Sequence, residues 1–165
     1  MKKILFSILL VLPAMLGFAQ DKQAGPKLYD PNADARADIK KAVQQAAKEH
    51  KYVMLQVGGN WCIWCTRFHH TVAANDTLSR LQKDNYVMVY VNYEQKNSKD
   101  AIWKELGYPQ RFGFPVFVIL DEQGKRIHTQ SSAYLEEGKG HSPAKIAEFF
   151  TQWSPDAVAG KTLKN

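Results

Sequence analysis

Cysteine is scarce in this sequence, with two residues in a chain of 165. Two cysteines cannot build the multiple bridges of a small disulfide-rich protein. They lie three positions apart, as Cys62 and Cys65, and a bridge between them closes too small a loop to stabilise a fold much. A chain of this length can also bury a core without a covalent link. The pair is therefore better placed for chemistry than for stability.

The sequence also lacks internal repeats, low-complexity blocks and arginine-rich stripes. Its formal net charge is +6, and Lys2 and Lys3 supply two of those charges. The other lysines are scattered, which is typical of a soluble surface rather than of a nucleic-acid site. The acidic residues show no paired arrangement suited to hydrolysis. These absences argue against nucleic-acid binding and against carboxylate-based hydrolysis.

The longest apolar run stands at the N-terminus. Residues 1–3 are a short basic start, residues 4–12 are almost wholly apolar, and Gly17 and Ala19 are the small residues that a signal peptidase reads. A membrane anchor is the alternative, but the run is shorter than the ~18 residues of a spanning helix, and Pro13 interrupts it. We expect a signal peptide over residues 1–19, an exported protein, and no membrane-spanning segment after cleavage.

The remaining sequence predicts one domain. Residues 20–33 are polar with glycine and proline, and we expect a flexible lead-in there. Helical and strand patterns then alternate over residues 34–153 in the order helix, strand, helix, strand, helix, hairpin, helix. A strand, a helix and a second strand in succession imply a parallel crossover. The prediction is an α/β fold with a central mixed β-sheet and helices on both faces, followed by a C-terminal tail over residues 154–165.

Local signals predict several element boundaries. The helix that follows Cys62 is expected to break near Asn75 and Asp76. A short helix is expected to begin from a cap at residues 97–98 and to end at Gly107. Ser142 is the expected cap of the last helix, since Pro143 suits the first turn.

Two cysteines separated by two residues at a helix start suit dithiol–disulfide exchange. The helix N-terminus favours the thiolate of the first cysteine. The second cysteine, one turn later, can displace a substrate held in a mixed disulfide. We therefore predict Cys62 as the nucleophile and Cys65 as the resolving thiol. This chemistry requires no cofactor.

At these residues the sequence resembles the thioredoxin superfamily. Residues 61–65 read Trp-Cys-Ile-Trp-Cys, similar to its Trp-Cys-x-x-Cys signature, and residues 113–117 resemble the segment around its cis-proline. The leading helix and the Gly-Asn before Trp61 resemble the exported thioredoxin-like family related to the C-terminal domain of the transmembrane thiol:disulfide reductant. The resemblance implies a thioredoxin-like fold, a cis bond between Phe114 and Pro115, and a backbone there that pairs with an extended substrate. An ordinary trans proline is the alternative.

The sequence departs from thioredoxin at Gln56. The buried acid that thioredoxins carry six residues before the first cysteine falls on Gln56, and the lysine near that acid falls on Tyr90. An amide cannot exchange a proton with Cys65, so we expect weaker acid–base help in the resolving step, supplied by water. The alternative is that Gln56 is only a hydrogen-bonded strand residue.

Apolar residues accompany the motif. They are predicted either to form a rim that binds extended protein segments or to lie in the core. These residues are Trp61, Ile63, Trp64, Phe112 and Phe114. Trp61, Ile63, Trp64 and Phe114, together with Pro115, are the predicted substrate-binding residues. No histidine lies between the cysteines, which favours a reductase over an isomerase or an oxidase.

Other functions compete with this one. A copper- or zinc-handling module would use both cysteines and His69, although no fourth ligand stands at a fixed spacing, which favours a packing or surface role for His69 and His70. A redox-inert domain would keep the fold alone. The expected partners are protein disulfide substrates, and the resemblance implies a membrane thiol-electron transporter as reductant. It also favours the periplasm over full secretion.

Overall fold

The computed structural model describes residues 27–161. The expected signal peptide and residues 20–26 lie outside this part of the chain. Three short 3-10 turns join the longer elements, at Gln95–Asn97, Pro109–Phe112 and Ser132–Leu135. The helices and strands in chain order are α1 (Ala35–Glu49), β1 (Tyr52–Gly58), α2 (Ile63–Ala73), α3 (Asp76–Asn85), β2 (Tyr86–Asn92), α4 (Ala101–Glu105), β3 (Val116–Leu120), β4 (Arg126–Ser131), β5 (Glu136–Glu137), β6 (Gly140–His141), α5 (Pro143–Gln152) and α6 (Pro155–Val158).

The central sheet has four strands in the order β2-β1-β3-β4. β1 pairs parallel with β2, and β3 runs antiparallel to both β1 and β4. β1 is therefore a central strand, and its carboxyl end leads directly into the segment with the two cysteines. The predicted mixed sheet with flanking helices is confirmed, and the motif lies at the strand end where α/β sheets collect their reaction sites.

Two apolar clusters cover the two faces of this sheet. Alternate residues of β1 and β3 point to opposite faces, because successive side chains of a strand do so. Leu55 and Val118 pack with α1 on one face, while Met54 and Phe117 pack with α2 and α5 on the other. The sheet is buried from both sides, which fixes the register of the strand that carries the motif.

Capping side chains explain several boundaries. Asp34 begins α1 by accepting hydrogen bonds from the backbone N–H groups of Arg36 and Ala37. Asn75 accepts from Leu78 N–H and begins α3, which confirms the predicted break after α2. The predicted cap at residues 97–98 is wrong, because α4 begins at Ala101. The Asn97 side chain instead bonds the backbone of residues 92 and 94 and holds a 3-10 turn.

Three further expectations need correction. Ser142 occupies the N-cap position of α5, but its side chain makes no capping hydrogen bond. The expected tail after residue 153 contains the short helix α6, which Ser154 caps through Ala157 N–H. The expected flexible lead-in is wrong for Tyr29, which is 2% exposed because it packs against the cysteine pair. Across residues 27–161, no helix has the length and apolar character needed to cross a membrane.

Candidate active site

The two cysteines form a disulfide at the start of α2. Cys62 is the N-cap of that helix, and its sulfur accepts a hydrogen bond from the backbone N–H of Cys65 at 3.1 Å. The Cα atoms of the two residues are 5.3 Å apart. Because the first N–H groups of a helix have no partner within it, they can stabilise negative charge on a sulfur at this position.

Access to the two cysteines differs. Cys62 is 5% exposed, whereas Cys65 is 0% exposed. Cys65 lies inside a small cluster with Tyr29, against which Leu28, Trp64, Tyr90 and Phe114 also pack. Within residues 27–161, the side of the pair that is open to a substrate sulfur is therefore that of Cys62.

Gly58, the last residue of β1, allows this close packing. A Cβ atom at this position would lie 2.7 Å from the Tyr29 hydroxyl oxygen and closer still to Cys65 Sγ. Both distances are shorter than a van der Waals contact allows. The disulfide and the Tyr29 side chain thus occupy the space beside the backbone of Gly58.

The predicted proline segment lies beside the disulfide. The peptide bond between Phe114 and Pro115 is cis, and Pro115 is buried. Phe114 packs against the cysteine cluster, and its ring meets the ring of Trp61 edge-on at 5.2 Å. The structure thus brings Trp61 and Phe114 together over the start of α2.

The predicted rim residues divide into two groups. Trp61 and Ile63 are 56% and 59% exposed, and Phe112 is exposed as well. Trp64 and Phe114 are half-buried. Trp61 and Ile63 therefore present exposed apolar surface on either side of Cys62, whereas Trp64 and Phe114 are partly covered.

Trp64 is held from two sides. Its ring lies 5.5 Å from the ring of His141, edge-on, and the guanidinium of Arg67 lies 4.7 Å from its centre. These contacts fix Trp64, the second of the two residues between the cysteines, against the body of the protein.

Gln56 lies behind the disulfide and is buried. Its side-chain amide donates hydrogen bonds to the Tyr29 hydroxyl at 2.9 Å and to the Cys65 carbonyl at 3.4 Å. Tyr90 is its neighbour on β2. Gln56 thus contacts the residue expected to resolve the mixed disulfide, but through the backbone rather than the sulfur.

Sequence reasoning missed Tyr29 and Asn60. The Asn60 side chain accepts from Tyr29 N–H at 3.1 Å and donates to Tyr29 C=O at 2.7 Å, so it holds the Tyr29 backbone as a neighbouring strand would. The available signal was weak: Leu28 and Tyr29 are the large apolar pair in an otherwise polar stretch.

His141 was also missed, although it is buried against Trp64 and Phe68. Among the described residues, neither of its ring nitrogens has a hydrogen-bond partner. Burial, with a smaller effect of the positive charge of Arg67, lowers the pKa of His141 from 6.5 to about 4. The imidazole is therefore neutral near pH 7.

His69, the histidine of the metal-handling alternative, has another contact. His69 Nδ1 lies 3.3 Å from the Tyr90 hydroxyl, and burial followed by the neighbouring His70 lowers the pKa of His69. Within residues 27–161, no three His, Cys, Asp or Glu side chains come together in a group that could hold a metal ion.

Known proteins resemble this chain in fold and in part of its sequence. A disulphide isomerase from Xylella fastidiosa Temecula1 superimposes with a TM-score of 0.67 at 25% identity, covering 77% of this chain and 96% of that one. The oxidised DsbD C-terminal domain of Neisseria meningitidis gives a TM-score of 0.52 at 24% identity, covering 73% and 96%. Spermatogenesis-associated protein 20 of Mus musculus is 31% identical over 62 residues, which are 38% of this chain and 8% of the mouse protein.

A family model described as thioredoxin-like matches residues 34–122, which is more than half of the chain. The matched segment runs from α1 through β3 and includes both cysteines. The predicted fold and the predicted type of cysteine pair are confirmed. The chain therefore belongs to the thioredoxin-like family and carries the Cys-x-x-Cys disulfide of its thiol–disulfide oxidoreductases.

Proposed function

We propose that this protein is an exported thiol–disulfide oxidoreductase that reduces disulfide bonds in other proteins. The observation that carries the proposal is the disulfide at the N-terminus of α2, with its first cysteine partly accessible and its second fully buried. In this arrangement Cys62 attacks the substrate and Cys65 resolves the resulting mixed disulfide.

The reaction balances without a cofactor. The Cys62 thiolate attacks one sulfur of the substrate disulfide, so that a Cys62–substrate bond forms and the other substrate sulfur leaves as a thiolate. Cys65 then loses its proton to solvent and attacks Cys62 Sγ, which releases the second substrate thiolate. The protein dithiol loses two electrons, and the substrate gains them together with two protons from solvent.

The helix start supports the first step. The N–H of Cys65 that donates to Cys62 Sγ in the disulfide state can make the same hydrogen bond to a Cys62 thiolate. A hydrogen bond to the charged form lowers a thiol pKa. Cys62 is therefore the sulfur expected to ionise first after reduction.

Exposed apolar side chains indicate a protein substrate in an extended or unfolded state. Trp61 and Ile63 flank Cys62 in the sequence and present exposed apolar surface, as binding rims do, and Phe112, two residues before Phe114, is exposed as well. Phe114 and Pro115 lie beside the disulfide, where a substrate backbone can pair with the segment.

Isomerase activity is the second candidate. The support for it is the likeness to the disulphide isomerase from Xylella fastidiosa, at 25% identity. The composition of the motif favours the reductase, because Ile63 and Trp64 place no histidine beside the thiolate. Histidine between the cysteines would stabilise the reduced form and make the pair more oxidising.

Export and the source of electrons complete the proposal. Residues 1–19 have the layout of a secretory signal, and the family resemblance favours the periplasm. A reductase is left oxidised after each turnover, so it needs a reductant, and the resemblance implies a membrane thiol-electron transporter. Fractionation of cells and the N-terminal mass of the recovered protein test the export.

The reduction potential tests the direction of the reaction. The protein is equilibrated in glutathione buffers, alkylated, and analysed by mass spectrometry, with Cys65→Ser as the control that cannot form the bridge. A potential near or below about −270 mV supports the reductase. A potential near about −180 mV or higher favours the isomerase or an oxidase instead. If the Cys62–Cys65 pair is not reversibly oxidised and reduced in these buffers, the protein has the thioredoxin-like fold but not the proposed activity.

A further inference from the structure

The buried sulfur of Cys65 needs help to ionise. Transfer of a thiolate from water into an apolar site is unfavourable, so burial alone raises a thiol pKa. Gln56 stands where an acid would otherwise serve, and an amide does not exchange a proton at neutral pH. Among the described residues, the hydroxyl-bearing side chains of the cluster around Cys65 are those of Tyr29 and Tyr90.

Tyr29 places its hydroxyl beside this sulfur. The Tyr29 oxygen and Cys65 Sγ border the same space at Gly58, where a Cβ would lie 2.7 Å from the oxygen and closer still to the sulfur. The hydroxyl of Tyr90 is directed elsewhere, since it lies 3.3 Å from His69 Nδ1. Tyr29 is therefore the phenol of this pair whose oxygen borders the sulfur.

The hydrogen bonds of Tyr29 leave its proton available. Gln56 Nε2 donates to the Tyr29 oxygen, so this contact uses an acceptor position of the phenol and not its proton. Among the described residues, the hydroxyl proton has no acceptor in the disulfide state. A disulfide sulfur is a weak acceptor, whereas a thiolate is a strong one.

We propose that the Tyr29 hydroxyl donates a hydrogen bond to the Cys65 thiolate when the disulfide is open, and so stabilises it for the resolving step. This inference rests on the proposed function, and it assigns to Tyr29 the task of the missing acid. Tyr29 keeps its proton throughout. The Cys65 proton leaves to solvent, and the Cys65 thiolate forms the S–S bond to Cys62 as the substrate thiolate departs.

Burial supports a donor rather than a base. Burial raises the pKa of Tyr29, the hydrogen bond from Gln56 partly opposes this, and Tyr90 adds to it. The phenol therefore stays protonated at every pH at which thiols exchange. Tyr90 also packs against the cluster, and burial raises its pKa; His69, whose pKa burial lowers, contacts the Tyr90 hydroxyl. His141 and Arg67 lie on the far side of Trp64 and contact its ring.

Asn60 holds Tyr29 in position. Its amide bonds both the N–H and the C=O of Tyr29, and it lies in the turn between β1 and the motif. The segment around Tyr29 and the cysteine segment are thus joined by side-chain hydrogen bonds across 31 positions of sequence. Loss of Asn60 should loosen the phenol without removing it.

Tyr29→Phe tests the inference, because it removes the hydroxyl and keeps the packed ring. Cysteine labelled with carbon-13 gives the Cys65 thiol pKa in the reduced protein from its Cβ chemical shift. We expect Tyr29→Phe to raise that pKa by about one unit and to slow the resolving step about tenfold at neutral pH. Tyr90→Phe is the matched control, with the same ring change in the same cluster and no expected effect on Cys65.

An unchanged Cys65 pKa in folded Tyr29→Phe overturns the inference. Asn60→Ala is the second variant, expected to raise the Cys65 pKa by a smaller amount. An unchanged Cys65 pKa in that variant would show that the hydrogen bonds of Asn60 do not position the Tyr29 hydroxyl. The parent protein separates the two hypotheses. If the cysteine pair of the parent is reversibly oxidised in glutathione and Tyr29→Phe has the same Cys65 pKa, the inference about Tyr29 alone fails. If the pair of the parent is not reversibly oxidised, the proposed function fails.

Discussion

The ring of Trp64 meets the ring of His141 edge-on at 5.5 Å, so the residue just before Cys65 packs on a buried imidazole. His141 lies in the two-stranded sheet of β5 and β6, far along the chain from the motif. The acid–base state of His141 is thereby linked to the packing of the active-site helix.

The first prediction is a loss of stability in acid. The folded pKa of His141 is about 4, below its ordinary 6.5, so the unfolded chain binds the proton more readily. The stabilisation is complete above pH 6.5 and is lost as the pH falls toward 4. We expect the free energy of unfolding to fall by roughly 2 kcal/mol from this group. Urea titrations across that range measure it.

His141→Phe provides the control for this prediction. Phenylalanine has a similar shape, packs against Trp64 and Phe68, and carries no nitrogen to leave unpaired. The variant should lose less stability than the parent over the same fall in pH. Equal losses in the two proteins would assign the acid sensitivity to other groups.

The second prediction concerns Gly58. Gly58→Ala places a methyl group against Cys65 Sγ and the Tyr29 hydroxyl, both of which belong to the packed cluster around the disulfide. We expect the free energy of unfolding to fall by about 1–3 kcal/mol. Gly140→Ala is the matched substitution, because a Cβ there meets nothing within 4 Å. Equal effects of the two substitutions in denaturant titrations would contradict the close packing described above.

The third prediction concerns Gln56. Gln56→Asp introduces a proton-exchanging group near Cys65 and removes the amide that donates to Tyr29 and to the Cys65 carbonyl. We expect a faster resolving step, measured by quenched release of a mixed disulfide, and a stability loss of about 1–3 kcal/mol. Gln56→Asn has the size of the aspartate variant without its acid. If the two variants resolve the mixed disulfide at the same rate, Gln56 has only a structural role.

The fourth prediction concerns the rim. Ile63 is 59% exposed, so truncation to alanine should barely alter stability. If an unfolded substrate covers this side chain, KM should rise about five- to tenfold in Ile63→Ala, with kcat nearly unchanged. Val158→Ala shortens another exposed apolar side chain, on α6, which packs on α5. Parallel changes in KM for both variants would remove Ile63 from the binding surface.

Short-range patterns were sufficient for much of the fold. The spacing of Cys62 and Cys65 after an apolar strand predicted their position at a helix start, because both the strand end and the cap involve neighbouring residues. The break before α3 was predictable for the same reason, since Asn75 bonds an N–H three residues away. At residue 97 the same reasoning failed, because the Asn97 side chain bonds backward to residues 92 and 94.

The sequence by itself determined the α/β order, the cysteine pair and the family resemblance, since periodicity and capping act over a few positions. Only the tertiary structure decided that Tyr29 is buried behind the disulfide, that His141 supports Trp64, and which aromatic residues are exposed. Tyr29 meets Gln56 across 27 positions of sequence. Such contacts exist only after the sheet and its helices have assembled, because the side chains that bury these residues come from distant parts of the chain.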